Sequence, residues 1–128
     1  MEQRYLIDSN IVIDYLAGKL PAFGTKFLDD LVNASPNVSV ITKIEVLGFA
    51  TTEKVKSLLL SFFAASLVIN LNDPIVNKAI ELREKIKIRI PDAIIAATAL
   101  CENMILVTRN TGDFDRIPEL TIINPWKI

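Results

Sequence analysis

Arg4-Tyr5-Leu6-Ile7-Asp8-Ser9-Asn10-Ile11-Val12 reads as a buried strand that runs straight into a helix. Tyr5, Leu6 and Ile7 form a short unbroken apolar run, which suits a strand covered on both faces. Ile11, Val12, Ile13 and Leu16 then recur at roughly helical spacing, so the helix spans about Asn10 to Ala17, with Gly18 as its stop. Asp8 falls at the junction. In an open α/β sheet the carboxyl edge of the strands, where helices begin, is where ligands bind.

The same alternation continues along the chain. Thr25 is expected to cap a helix through Asn33, and Pro36 marks a turn. Val38 to Ile41 reads as a second strand, followed by a short helix to Ala50. A third helix fits Glu53 to Ala64, capped by Thr52, with Val55, Leu58, Leu59 and Phe62 as its buried stripe. Leu67 to Ile69 is a third strand. Asp73-Pro74 opens the next helix, with the carboxylate as cap and proline in the first turn, and the helix ends near Lys87. Pro91 opens a nearly all-apolar helix to about Glu102, buried on most sides. Met104 to Val107 is a fourth strand, Thr108 to Phe114 a loop, and Leu120 to Ile123 a fifth, edge strand. No tight hairpin signal interrupts the series. The pattern predicts a three-layer α/β/α sandwich with a mostly parallel central sheet of four to five strands, in a single domain over residues 1–128.

Composition narrows the chemistry. The 128 residues contain no histidine, which removes the commonest general base, histidine-based serine triads and histidine metal sites. The net charge of −1 announces no basic nucleic-acid surface, though a metal-loaded acidic site can meet phosphate without one. The single cysteine, Cys101, lies in an apolar run and is read as a small buried hydrophobe. With 51% hydrophobic residues and a mean hydropathy of +0.38, some apolar surface is expected to wait for a partner. Leu58 to Ile69 has the length of a core helix plus strand, not of a membrane span, and the start of the chain lacks a basic-then-apolar leader. The expected location is cytoplasmic, with no membrane partner.

Three further acids follow Asp8 at element junctions: Glu45, Asp92 and Asp113. Each has a duller explanation when taken singly. Asp8 suits a helix N-cap, and Thr42-x-x-Glu45 has the capping-box pattern with Ile41 and Val46 as its staple. Asp92 sits in a first helical turn, where the helix dipole favours negative charge, and Asp113 follows ordinary turn residues. In a parallel sheet, however, the ends of strands one, two and four share one edge. Carboxylates gathered there repel: at about 4 Å a like-charged pair costs about 4 kcal/mol at an effective dielectric of about 20. All-oxygen ligation without histidine or cysteine calls for a hard cation, Mg²⁺ or Mn²⁺.

Asp8-Ser9-Asn10, Thr42-x-x-Glu45 with Val46-Leu47-Gly48, Pro91-Asp92-Ala93-Ile94-Ile95-Ala96-Ala97 and Thr108-Arg109-Asn110-Thr111-Gly112-Asp113-Phe114 together resemble the PIN domain, and specifically the VapC-type toxins of bacterial toxin–antitoxin pairs. The motifs run nearly end to end, in order, with Ser9 standing where the usual first motif has threonine. The resemblance implies a Mg²⁺- or Mn²⁺-dependent endoribonuclease with Asp8, Glu45, Asp92 and Asp113 as catalytic, metal-holding residues. It implies that the Asp92 helix starts at the acidic site. It implies RNA as substrate, a cognate antitoxin with its tail in a groove, and a homodimer. Asn10, Thr108, Arg109 and Asn110 are candidates to support the site or touch substrate. Asp115 is read as a turn or surface acid. Arg83, Lys85, Lys87 and Arg89 form a basic run, from which Lys85, Lys87 and Arg89 are candidates for the RNA backbone. Two other classes stay open here: a PIN-like scaffold that binds without catalysis, and a phospho-acceptor receiver domain. The receiver fits less well, because Asp8 has no adjacent acid and Thr108-Arg109 stands where a receiver needs lysine.

Overall fold

The computed structural model describes residues 3–49 and 51–128. Five strands form one sheet: β1 (Tyr5–Ile7), β2 (Asn37–Ser39), β3 (Leu67–Ile69), β4 (Ile105–Val107) and β5 (Ile122–Ile123). Every pairing is parallel and the order is β3-β2-β1-β4-β5. The sheet separates two apolar clusters. Leu6, Ile75, Ala96, Leu106 and Phe114 belong to one, and Ile7, Ile11, Val38, Phe62 and Val107 to the other. Neighbours along β1 and along β4 thus point into opposite layers, which is why both strands are apolar without alternation.

Among the described residues, seven helices connect and cover the strands: α1 (Ser9–Leu16), α2 (Ala22–Asn33), α3 (Val40–Leu47), α4 (Glu53–Ala64), α5 (Asp73–Lys85), α6 (Ile90–Cys101) and α7 (Thr111–Phe114). A 3-10 turn, Pro125–Lys127, follows β5. No helix is long and apolar enough to cross a membrane among the described residues.

Several boundaries differ from the expected ones, each for a physical reason. The second strand stops at Ser39, whose hydroxyl accepts from the Ile41 amide and caps α3. Ile41 is therefore helical, and Thr42-x-x-Glu45 lies inside the helix, so it is no capping box. The helix ends at Leu47 with Gly48 as its C-cap, short of the expected Ala50, which lies outside the described residues, as do Met1 and Glu2 at the start of the stretch read for a leader. Helix α2 begins before Thr25, whose hydroxyl instead donates to the Leu20 carbonyl. Asn72, not Asp73, caps α5 by accepting from the Ile75 amide. Residues 111–114 turn into a short helix rather than staying a loop. On α4, Leu59, Phe62 and Phe63 are buried while Val55 and Leu58 stay exposed. Cys101 is exposed at the end of α6, where its thiol reaches the Pro74 carbonyl. The apolar run around it faces the core on its other sides only.

Gly24 is a place where glycine is required. A Cβ there would lie 2.2 Å from the Pro125 carbonyl oxygen, so α2 and the 3-10 turn touch backbone to backbone. Leaving that side bare presses the turn, and Trp126 with it, against the layer that carries α1.

Candidate active site

The order β3-β2-β1-β4-β5 changes direction at β1. The chain moves from β1 to β2 on one side, and β4 arrives on the other. The crevice outside the carboxyl ends of β1 and β4 is therefore the switch point where an open α/β sheet binds ligands. Asp8 ends β1 there, and its amide donates to the Val107 carbonyl at 2.9 Å, locking the two strand ends together.

Asp8 is 5% exposed. One of its oxygens accepts from the Ser9 amide at 2.8 Å, so it does serve as the N-cap of α1. The other accepts from the Thr108 hydroxyl at 2.8 Å and from the Asn10 side-chain amide at 3.2 Å. Burial pushes its carboxyl above the ordinary value of 3.8, and the nearby charges of Asp92 and Glu45 push the same way. The bonds from Thr108 and Ser9 oppose the rise but do not cancel it. A cap alone needs no such burial beside two other acids.

Glu45 comes from α3. Its carboxylate accepts from the Ser9 hydroxyl at 2.8 Å, and the same hydroxyl stands 3.3 Å from that of the buried Thr42. Ser9 thus keeps the hydroxyl role that threonine would fill. Asp92 lies in the first turn of α6, which starts at the acidic edge because α6 runs antiparallel to the strand that follows it. Arg89 pairs with Asp92 at 3.3 Å.

Asp8, Glu45 and Asp92 line one pocket, together with Asn10, Asp14, Arg89, Arg109 and Asn110. Asp113 does not line it. It lies in a neighbouring cleft that shares Asp92 and Arg89 and adds Arg83, Lys87 and Arg116. Asn110 donates to Asp113 at 2.7 Å. Among the described residues, no three acidic side chains stand close enough in this arrangement to hold one ion. Arg89 and Asn110 engage two of the four carboxylates instead.

The supporting residues divide clearly. Thr108 is fully buried, donates to Asp8 and accepts from the Asn110 amide at 3.0 Å. Asn10 bridges Asp8 and the Arg109 amide through opposite ends of its side chain. Asp115 is exposed. Lys85 pairs with Glu81 at 3.1 Å and does not line the cleft, whereas Lys87 and Arg89 do. Helix α5 ends at Lys85, so the basic run is split between a helical turn and the segment after it. Sequence reasoning missed Arg116, and it missed Asp14, a buried acid on α1 paired with Arg109 at 3.2 Å. The available signal for Asp14 was a lone charge within Ile11 to Leu16, one turn beyond Asn10.

The donor set suits a hard divalent cation. Every candidate ligand is a carboxylate, burial holds that of Asp8 above its ordinary value, and a cationic side chain, Arg89, already pairs with that of Asp92. Fold and site together define a parallel α/β protein with a carboxylate pocket at its switch point. The family model for the PIN domain matches residues 5–120, and the chain belongs to that family. A "Ribonuclease VapC" from Rickettsia bellii is 49% identical over 41 residues, a match spanning 32% of this chain and 31% of that relative. A chain of a toxin–antitoxin complex from Klebsiella pneumoniae is 31% identical, with a TM-score of 0.75 over 97% of this chain and 99% of its own. A chain of VapBC2 from Rickettsia felis, bound to a promoter DNA fragment, is 25% identical with a TM-score of 0.78, over 95% of this chain and 98% of its own. Family membership sets aside the receiver-type alternative.

Proposed function

We propose that this chain is a Mg²⁺- or Mn²⁺-dependent endoribonuclease and the toxin of a toxin–antitoxin pair. The observation that carries it is the pocket at the ends of β1 and β4, lined by Asp8, Glu45 and Asp92 beside two arginines. The names of the similar proteins agree with it. Asp8, Glu45, Asp92 and Asp113 are the carboxylates that would hold the ion, which would have to draw them closer than they stand with Arg89 on Asp92 and Asn110 on Asp113. Such an ion lowers the pKa of a coordinated water and offsets charge on the scissile phosphate. The residues themselves do the positioning. Thr108 and Asn10 aim one oxygen of Asp8, and Ser9 fixes Glu45. Arg109 presents a guanidinium to a phosphate at the pocket wall.

The adjoining cleft supports a strand of RNA. Arg83 donates to the Ile88 carbonyl at 3.1 Å and Arg116 to the Lys87 carbonyl at 2.7 Å, so both guanidinium groups are anchored with donors to spare. Replacing Arg83, Lys87 or Arg116 by alanine is expected to weaken binding alike for all RNA sequences. Each loss should lower the salt slope of single-strand affinity by about 0.7 per phosphate contact. Affinity measured from low to moderate salt decides it: unchanged slopes in all three variants place the strand elsewhere.

Hydrolysis forms a bond from water oxygen to phosphorus and breaks the bond to the 3′ oxygen, which leaves as a hydroxyl. Products should carry 5′-phosphate and 3′-hydroxyl ends, and a chelator should stop the reaction. Mapping the ends of a cleaved oligonucleotide tests this. Finding 2′,3′-cyclic phosphates, or undiminished cleavage in chelator, overturns it.

The partner assignments rest on exposed apolar side chains. A groove between α1, α3 and α4 is lined by the exposed Ile13, Phe49, Val55 and Leu58, with the half-buried Leu16 and the buried Val46 at its floor. Ile13, Val46 and Phe49 also line the carboxylate pocket, so a peptide in the groove ends at the site. The antitoxin tail fits here, and a basic side chain on it would compete with the cation. Val76 and Ile80, one turn apart on α5, are also exposed, and a homodimer mate would cover them.

A further inference from the structure

Asp14 is a buried carboxylate that the hydrolytic chemistry above does not use. It is 4% exposed on a helix whose neighbouring residues are apolar, and burying a charge is costly without a partner. It has two. The Trp126 indole N–H donates to its Oδ2 at 3.0 Å, and the Arg109 Nη1 lies 3.2 Å from the same oxygen. The Arg109 side chain is 53% exposed where that of Asp14 is 6%. One end of the guanidinium is thus pinned to a buried anchor while the rest opens toward solvent. The backbone under it is held as well, since the Arg109 amide donates to Asn10 Oδ1 at 3.2 Å. Arg109 lines the same pocket as Asp8, Glu45 and Asp92.

We propose that Asp14 is a positioning residue that holds the Arg109 guanidinium at the rim of the carboxylate pocket, ready for a substrate phosphate, and that Trp126 fixes Asp14. Arginine suits this task because its planar fork spans two acceptors, here Asp14 and a phosphate, as a lysine ammonium does not. Trp126 is itself immobilised, since the turn bearing it is pressed onto α2 at Gly24. The chain therefore carries a relay from the back of α2 to the substrate side of the pocket. It rests on the ribonuclease assignment.

The test uses the full chain and a labelled single-stranded RNA oligonucleotide, with cleavage in Mg²⁺ and affinity by anisotropy in chelator. Asp14→Asn should raise KM and Kd about tenfold, the scale of one charge-assisted contact, while kcat stays within about twofold. Arg109→Lys should match it, and the double variant should be no worse than either single, because the two residues act as one unit. Trp126→Phe keeps the ring but not the donor, and should give a smaller rise of about threefold. Trp126 is the chain's one tryptophan, so its emission reports the loss of Asp14 directly. An unchanged KM and Kd in Asp14→Asn, with a rise in Arg109→Ala, overturns the proposal. Additive effects in the double variant, or a fall confined to kcat that tracks lowered melting, overturn it too. A wild-type chain that neither binds nor cleaves RNA defeats the ribonuclease assignment itself, and the wild-type arm alone reveals that.

Discussion

Asp8→Asn is expected to abolish RNA cleavage and yet to raise the melting temperature of the chelator-treated protein at neutral pH. The two effects have one source. Burial holds the Asp8 carboxyl above its usual value, so the folded chain binds that proton more tightly than the unfolded chain does. Stability then falls as pH rises from about 3.8 through the folded value, and stays lower above it. Asparagine caps a helix as well as aspartate and carries no charge to desolvate. The variant should therefore melt above wild type near pH 7, with the gap closing toward acid. Added Mg²⁺ should stabilise wild type and do little for the variant. Cleavage should drop by more than about 100-fold, the upper range for disturbing only a metal ligand's outer partners. Melting curves at two pH values with and without metal, beside a cleavage assay, check all of this. Wild-type cleavage by the variant, or a lower melting point in chelator at neutral pH, sinks the assignment.

Thr108→Val should be the costliest change among the residues that only support the site. The side chain is fully buried, and valine keeps its shape while deleting the hydroxyl. Asp8 loses its 2.8 Å donor and the Asn110 amide loses its acceptor. A hydrogen bond to a charged group contributes about 1.5–3 kcal/mol, and the half-buried Asn110 amide left without its acceptor adds to that, so a loss of about 2–4 kcal/mol is expected. The sign of its pH dependence is fixed. Thr108 lowers the Asp8 value, so without it the carboxyl rises further, and the deficit against wild type grows from acid to neutral pH. Cleavage should fall about 10- to 100-fold through misaimed Asp8. Thr108→Ser, which keeps the hydroxyl, should recover most of both. Denaturant unfolding at acid and neutral pH gives the answer; equal stability of the valine and serine variants would remove Thr108 from the Asp8 network.

What could be read ahead of the structure follows from how local each signal is. The cap at Thr52, the strand Leu67–Ile69 and the opening of α6 at Ile90-Pro91 are written within a few residues, and they fall where expected. The start of α3 was not legible, because β-branched Val40 and Ile41 prolong the strand pattern while Ser39 quietly caps the helix. The apparent capping box at Thr42 and Glu45 is a coincidence of spacing. Their true link is to Ser9 on another helix, and no local rule reports a contact between such distant residues. The same limit hid Asp14, whose partners Arg109 and Trp126 come from the far end of the sequence. It also hid the regrouping of Arg83, Lys87 and Arg89 with Arg116, which depends on where α5 stops. The burial of Cys101 was misjudged for a related reason. Hydropathy averages over a helix's circumference, and its last turn can face out.

The bond between Asp8 and Thr108 spans 100 positions of chain, and β1 pairs with β4 across the same gap. Contacts so remote in sequence form late, since the entropy of closing the loop is spent before they return anything. During refolding, helices such as α5 and α6 can pair early as neighbours, but the acidic crevice does not exist until the two central strands meet. On the proposed reading, a nascent or half-collapsed chain has no pocket to cut with, and the site is completed only when β1 meets β4.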